Sequence, residues 1–167
     1  RSSPPAENAV TRILDRIFLA GGIAAGVFLV MIAVLVVAQI LSRLLGTMVP
    51  SADEFAGYCL SAASFLGLAY AFRNGAHIRV TLLVGALPRR AAWALNLLAV
   101  AVSAAMVAYF TWFTLVMVWE SWSFGDVTGG LVPIPLWIPQ TGMAAGLVLF
   151  TLALAELLVR LAREGPD

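Results

Sequence analysis

The chain has 167 residues, 62% of them apolar, with only ten basic and nine acidic side chains. Water-exposed domains are about a quarter charged, so 11% charge excludes a soluble globule built around one core. A net charge of +1 excludes a basic nucleic-acid stripe, and one cysteine and one histidine exclude an internal disulfide or a Cys/His metal cluster.

Residues 1–15, with Pro4-Pro5, read as a short flexible lead-in that gains helical character from Thr11 to Arg16. Four charge-free runs follow: Ile17 to Ser42 (26 residues), Phe55 to Phe72 (18), Ala91 to Trp119 (29) and Val127 to Ala155 (29). About 20 apolar residues cross ~30 Å of hydrocarbon at ~1.5 Å per residue. The runs therefore predict an all-α integral membrane protein forming a single four-span domain, with spans at about 17–42, 54–72, 91–119 and 136–158. The first run exceeds the roughly 7–15 residues of a signal-peptide core, and Leu41-Ser42-Arg43 is a poor cleavage site, so a retained span is expected.

Gly46 and Pro50 end span 1. Ser51-Ala52-Asp53-Glu54 fits a capping box opening span 2, with Glu54 reaching back to the Ser51 amide. Span 2 stops at Arg73-Asn74-Gly75, where glycine suits a left-handed cap. In the next segment Val80, Leu83, Val84 and Leu87 fall on one helical face between arginines, which predicts a short interfacial amphipathic helix at about 78–87. Pro88 suits a first helical turn and Arg89-Arg90 anchor span 3. That span would reach ~43 Å and must tilt or project. Gly125, Gly129 and Gly130 mark its exit loop, and Pro133, Pro135 and Pro139 place the regular part of span 4 from Leu136 to Leu158.

Short arginine-rich loops stay in the cytoplasm. Arg1, Arg12, Arg16, Arg73, Arg79, Arg89, Arg90, Arg160 and Arg163 share one side, and only Arg43 lies on the other, with Asp53, Glu54, Glu120 and Asp126. Both termini are therefore expected in the cytoplasm. Trp93 at the inner boundary and Trp119, Trp122 and Trp137 at the outer one fit aromatic belts.

The runs contain no charged side chain and no histidine, whereas ion-coupled carriers keep such groups along their pathways. Gln39, Asn96 and Gln140 are expected to make hydrogen bonds between helices or to another subunit. His77 has no nucleophile or carboxylate at a spacing that designates a catalytic partner, so it is expected to contact lipid phosphate or a partner's backbone. Gly22-x-x-x-Gly26 and Gly142-x-x-x-Gly146 allow close helix packing, of spans 1 and 4 together or against another protein.

Arg73-Asn74-Gly75-Ala76-His77-Ile78-Arg79-Val80, after a span led by Glu54 and containing Phe65-Leu66-Gly67, resembles the small membrane (Q) subunit of tripartite ATP-independent periplasmic (TRAP) transporters. Leu87-Pro88-Arg89-Arg90 and Ile134-Pro135-Leu136-Trp137-Ile138-Pro139 extend the resemblance. Thr81 departs from it, since the family commonly has an acid there.

The resemblance implies a small permease subunit of the bacterial inner membrane, scaffolding a large many-span (M) subunit. That partner would take up an organic acid or similar solute from a periplasmic binding protein by sodium symport. No cofactor is expected in this chain, and sodium coupling is expected in the large subunit. Glu54, Arg73, Gly75, His77, Ile78, Arg79, Val80, Arg89 and Arg90 would then be structural, partner or lipid contacts. Asp53, Glu120 and Asp126 would face the binding protein. Two other readings remain: a small four-span enzyme holding an anionic thiol cofactor on Arg73, Arg79, Arg89 and Arg90, and a self-associating structural protein.

Overall fold

The structure is a computed structural model that describes residues 9–75 and 88–165. The described residues form four helices: α1 (Ala9–Leu44), α2 (Ala52–Gly75), α3 (Arg89–Phe124) and α4 (Trp137–Glu164). All four are long and apolar enough to cross a membrane. The interfacial helix expected at about 78–87 lies outside the described residues, as do His77, Ile78, Arg79 and Val80.

The helices overrun the charge-free runs because a helix does not stop at its first charge. α1 takes in Arg12, Asp15 and Arg16, and α3 continues through Glu120. They stop where backbone geometry requires it. Gly125 adopts φ 69° after α3, and its N–H and that of Asp126 both bond to the Ser121 carbonyl. Gly46 does the same after α1 at φ 72°, where the Thr47 N–H and hydroxyl both reach the Ser42 carbonyl.

α1 packs along α2, α2 along α4 and α4 along α3, while α1 and α4 meet marginally. The bundle is thus a layer one helix thick, ordered α1-α2-α4-α3. Asp15 of α1, Arg73 of α2 and Glu156 of α4 meet at one end, and Gln39 of α1 meets Asp53 of α2 at the other. α2 and α4 therefore run parallel, with α1 antiparallel to them. The indole N–H of Trp93 donates to the Leu161 carbonyl at 3.1 Å, which brings the start of α3 to the end of α4. Residues 9 and 165 accordingly lie at the same end, the arginine-rich one.

Small residues let the central pair approach. A Cβ on Gly146 would lie 2.5 Å from the Phe65 Cβ and 2.6 Å from its backbone carbon, and one on Gly142 would lie 2.8 Å from the Ala62 Cβ. This pattern packs α4 on α2, not on α1. The α1 pattern divides: Gly22 faces the Tyr70 ring of α2, whereas Gly26 has open space around it. Gly21, outside the pattern, is the glycine of α1 that approaches α4, at Leu149. α3 is tied to α4 by the Thr111 and Thr151 hydroxyls, 2.7 Å apart. The Val107 and Leu147 carbonyls are further acceptors at 2.8 and 2.9 Å.

Candidate functional site

Two polar ends bracket the apolar layer. At the arginine-rich end the core is Phe18 of α1, Ala69 of α2 and Ala153 of α4, with Leu14, Phe72, Leu149 and Phe150 around it. The two alanines are small enough for three helices to close on one ring, leaving Phe18 2% exposed. Phe72 and Phe150 complete the plug edge to face at 5.3 Å.

Arg73 lies over this plug. Its Cζ stands 4.5 Å from the Phe18 ring centroid, a cation–π contact. Nη2 donates to Asp15 Oδ1 at 2.7 Å and to Glu156 Oε1 at 3.5 Å. Nη1 lies 3.2 Å from Glu156 Oε2, but off the axis of a hydrogen bond, so that contact is electrostatic rather than directional. One guanidinium thus holds three helices in register. The side chain is 15% exposed, while Asp15 and Glu156 are 56% and 42% exposed, so the cluster faces water on the carboxylate side.

At the other end Gln39 Nε2 donates to Asp53 Oδ1 at 2.9 Å. The loop from Gly125 to Leu136 folds back as a small hairpin, with Val127 paired to Pro135. The Leu136 N–H bonds to the Asp126 carbonyl and the Thr128 N–H to the Ile134 carbonyl, each at 2.9 Å. The nearly buried Thr128 hydroxyl accepts the Ile134 N–H at 3.1 Å.

The expected capping box does not form. Ser51 sits at φ 57°, outside the extended region of an N-cap, and its hydroxyl accepts the Val132 N–H at 3.1 Å. Glu54 lies against Gly130, where any Cβ would collide with its carboxylate. Both residues therefore dock the hairpin on α2 instead of capping it. Beside them a shallow cavity of about 260 Å³ is lined by Gln39, Arg43, Pro50, Asp53, Glu54 and Leu131.

Of the other residues singled out in the sequence, Gly75 ends α2 with open space around it but without the left-handed φ expected of a cap, and Arg89 and Arg90 are exposed in the first turn of α3. Glu120 and Asp126 are exposed at the hairpin end. The Asn96 side chain makes no hydrogen bond among the described residues, and the Gln140 amide oxygen is buried without a partner among them. Gln39 is the one of the three polar span residues whose side chain bonds across helices. The sequence reading missed Asp15, Phe18 and Glu156. The available signal was an acid set close to arginines toward each of two helix ends: Asp15 beside Arg12 and Arg16, and Glu156 before Arg160. Because two carboxylates engage Arg73, the arginine cluster proposed for an anionic thiol cofactor loses its first member.

Residues 32–164 match the family described as tripartite ATP-independent periplasmic transporters, DctQ component. No curated protein matches the chain. The family match runs from the middle of α1 to the end of α4, and nothing supports the enzyme alternative. A multi-pass chain of four membrane-length helices, carrying this match over well more than half its length, belongs to the DctQ family, the small membrane subunit of TRAP transporters.

Proposed function

We propose that this chain is a static, non-catalytic frame for a large many-span permease subunit that carries out sodium-coupled uptake of an organic acid or similar solute. A periplasmic binding protein delivers the solute. The supporting observation is the placement of charge. Every Asp, Glu and Arg of the described helices stands toward one end of the layer or the other, and the helix interiors hold no charged side chain to bind a solute anion or a coupling ion. Arg73 fixes three helices at one depth, and the hairpin fixes two at the other, which suits a part that stays still while its partner moves.

The arginine-rich end faces the cytoplasm of a bacterial inner membrane under the positive-inside rule, with both termini on that side. Arg73, Gly75, His77, Ile78, Arg79 and Val80, with Arg89 and Arg90, form the lipid- and partner-contacting inner edge. The acidic end, with Asp53, Glu120 and Asp126 exposed, offers complementary charge to a basic patch on the binding protein. Co-expression with the large subunit tests the reading. The expected product is a stable pair, in which reporter fusions place the segment 76–88 inside and the segment 125–136 outside. Isolation of this chain as a self-sufficient oligomer holding an anionic thiol compound would overturn it.

A further inference from the structure

The cavity of about 260 Å³ at the hairpin end carries charge of both signs, Arg43 from the last turn of α1 and Asp53 and Glu54 from the first turn of α2. Arg43 follows Gln39 by one helical turn on the same face of α1, and Gln39 bonds to Asp53, so the guanidinium and the carboxylates stand at one level of the layer. Even so, Arg43 forms no ion pair with either acid. Asp53 gives Oδ1 to Gln39 and keeps Oδ2 without a donor among the described residues. The Glu54 carboxylate lies against Gly130 and accepts no hydrogen bond among them. Opposite charges that line one space without closing on each other leave room for a ligand that carries both.

The depth of the cavity says where that ligand comes from. Glu54 and Arg73 of α2 are 19 residues apart. At ~1.5 Å per residue this is about 28 Å, the thickness of the hydrocarbon layer, so with Arg73 at one boundary the cavity lies at the other, level with lipid headgroups. Its rim agrees, since Met48 and Leu131 line it and are 79% and 76% exposed. A soluble ion would leave these side chains in water, whereas the glycerol and first methylenes of a lipid cover them. The volume is also below the roughly 300–1,000 Å³ of pockets that enclose a whole drug-sized ligand, and suits a headgroup whose tails stay in the bilayer.

The donors and acceptors select the headgroup. A guanidinium only donates, in a fork that matches phosphate oxygens. The two carboxylates only accept, so they take an ammonium that still has N–H groups: a primary ammonium offers three and a trimethylammonium none. We infer that the cavity seats the headgroup of a phosphoethanolamine lipid, its phosphate on Arg43 and its ammonium between Asp53 and Glu54. The seated lipid ties the end of α1 to the start of α2 and, through Leu131, to the hairpin. It takes Asp53 from the acidic surface offered to a binding protein and leaves Glu120 and Asp126 on it. The inference requires the helices to span a bilayer and does not depend on the pairing with a large subunit.

The test places the full chain in phosphatidylcholine nanodiscs with a small share of a phosphatidylethanolamine that carries a diazirine near the top of one acyl chain, and maps the photoadducts by peptide. Adducts are expected within 48–52 or 130–132, suppressed by added phosphatidylethanolamine but not by phosphatidylcholine or phosphatidylglycerol. Arg43→Gln, Asp53→Asn and Glu54→Gln should each lower the yield about 3- to 10-fold at subsaturating lipid, because each removes a charged hydrogen bond at a partly wetted site. Continued protection of the buried Cys59 from a maleimide checks that α1 and α2 stay packed in each variant. Absence of adducts from both segments overturns the inference. So does equal suppression by phosphatidylcholine, which removes the role of the ammonium, or stronger suppression by phosphatidylglycerol, which makes the site simply anion-binding. Suppression by soluble phosphoethanolamine at the same concentration overturns the lipid as the source. Loss of the adducts when the large subunit is co-purified gives the cavity to a protein partner and overturns it as well.

Discussion

Arg73→Ala removes the charged group that joins α1, α2 and α4. Two ion pairs disappear, one at 2.7 Å and one at 3.2 Å, along with the cation–π contact over Phe18. Because the carboxylates are 56% and 42% exposed, solvent screens each pair, and each contributes roughly 0.2–1 kcal/mol. The cation–π contact adds about 0.5–1 kcal/mol. The expected loss is therefore about 1–3 kcal/mol, shrinking in high salt as the ionic part is screened. Cys59 is the single thiol, 7% exposed between α1 and α2, so its reaction with a maleimide during heating reports separation of those helices. A double-mutant cycle with Asp15→Asn should give a coupling of roughly 0.2–1 kcal/mol in low salt, and Arg73→Lys should recover only part of the loss. Wild-type stability of Arg73→Ala, or zero coupling in low salt, would refute the assignment of this cluster as the lock on three helices.

The glycine patterns give a graded prediction. Gly146→Ala must push backbone away and costs about 1–3 kcal/mol, Gly142→Ala costs less, and Gly26→Ala is neutral or slightly stabilising, as read by thermal unfolding of the purified chain. Thr128→Val deletes the acceptor of the Ile134 N–H, so limited proteolysis should cut the segment 125–136 several-fold faster while the helices stay intact. Ser51→Ala should have a smaller effect of the same kind, since it frees only the Val132 N–H. His77→Ala is expected to lower the yield of the assembled complex, or its lipid binding, without altering solute preference. A complex of normal yield with changed preference would contradict that.

The four spans were legible because length without charge is itself the physical requirement for crossing hydrocarbon. Helix ends were less so, since Arg12, Asp15 and Arg16 can continue a helix beyond the membrane as readily as they can end one. The lock was not legible. Arg73 lies 58 residues from Asp15 and 83 from Glu156, and each acid reads locally as one more solvated charge. Ser51 and Glu54 show the reverse failure. A sound local motif was overridden because Val132, 81 residues away, supplied a competing donor. Identical glycine spacing likewise concealed different surroundings, as Gly146 meets backbone and Gly26 meets open space. The family resemblance, carried by the segment from Arg73 to Val80, reached the right family although most of that segment lies outside the described residues.

The central claim is that this chain supports transport without contacting what is transported. Photoaffinity labelling of the assembled pair tests it most directly, using a photoreactive analogue of the delivered solute during sodium-driven uptake in proteoliposomes. The account predicts label on the large subunit, none on this chain, and loss of uptake when this chain is omitted. Label on any of the four helices that is displaced by the unmodified solute would contradict it.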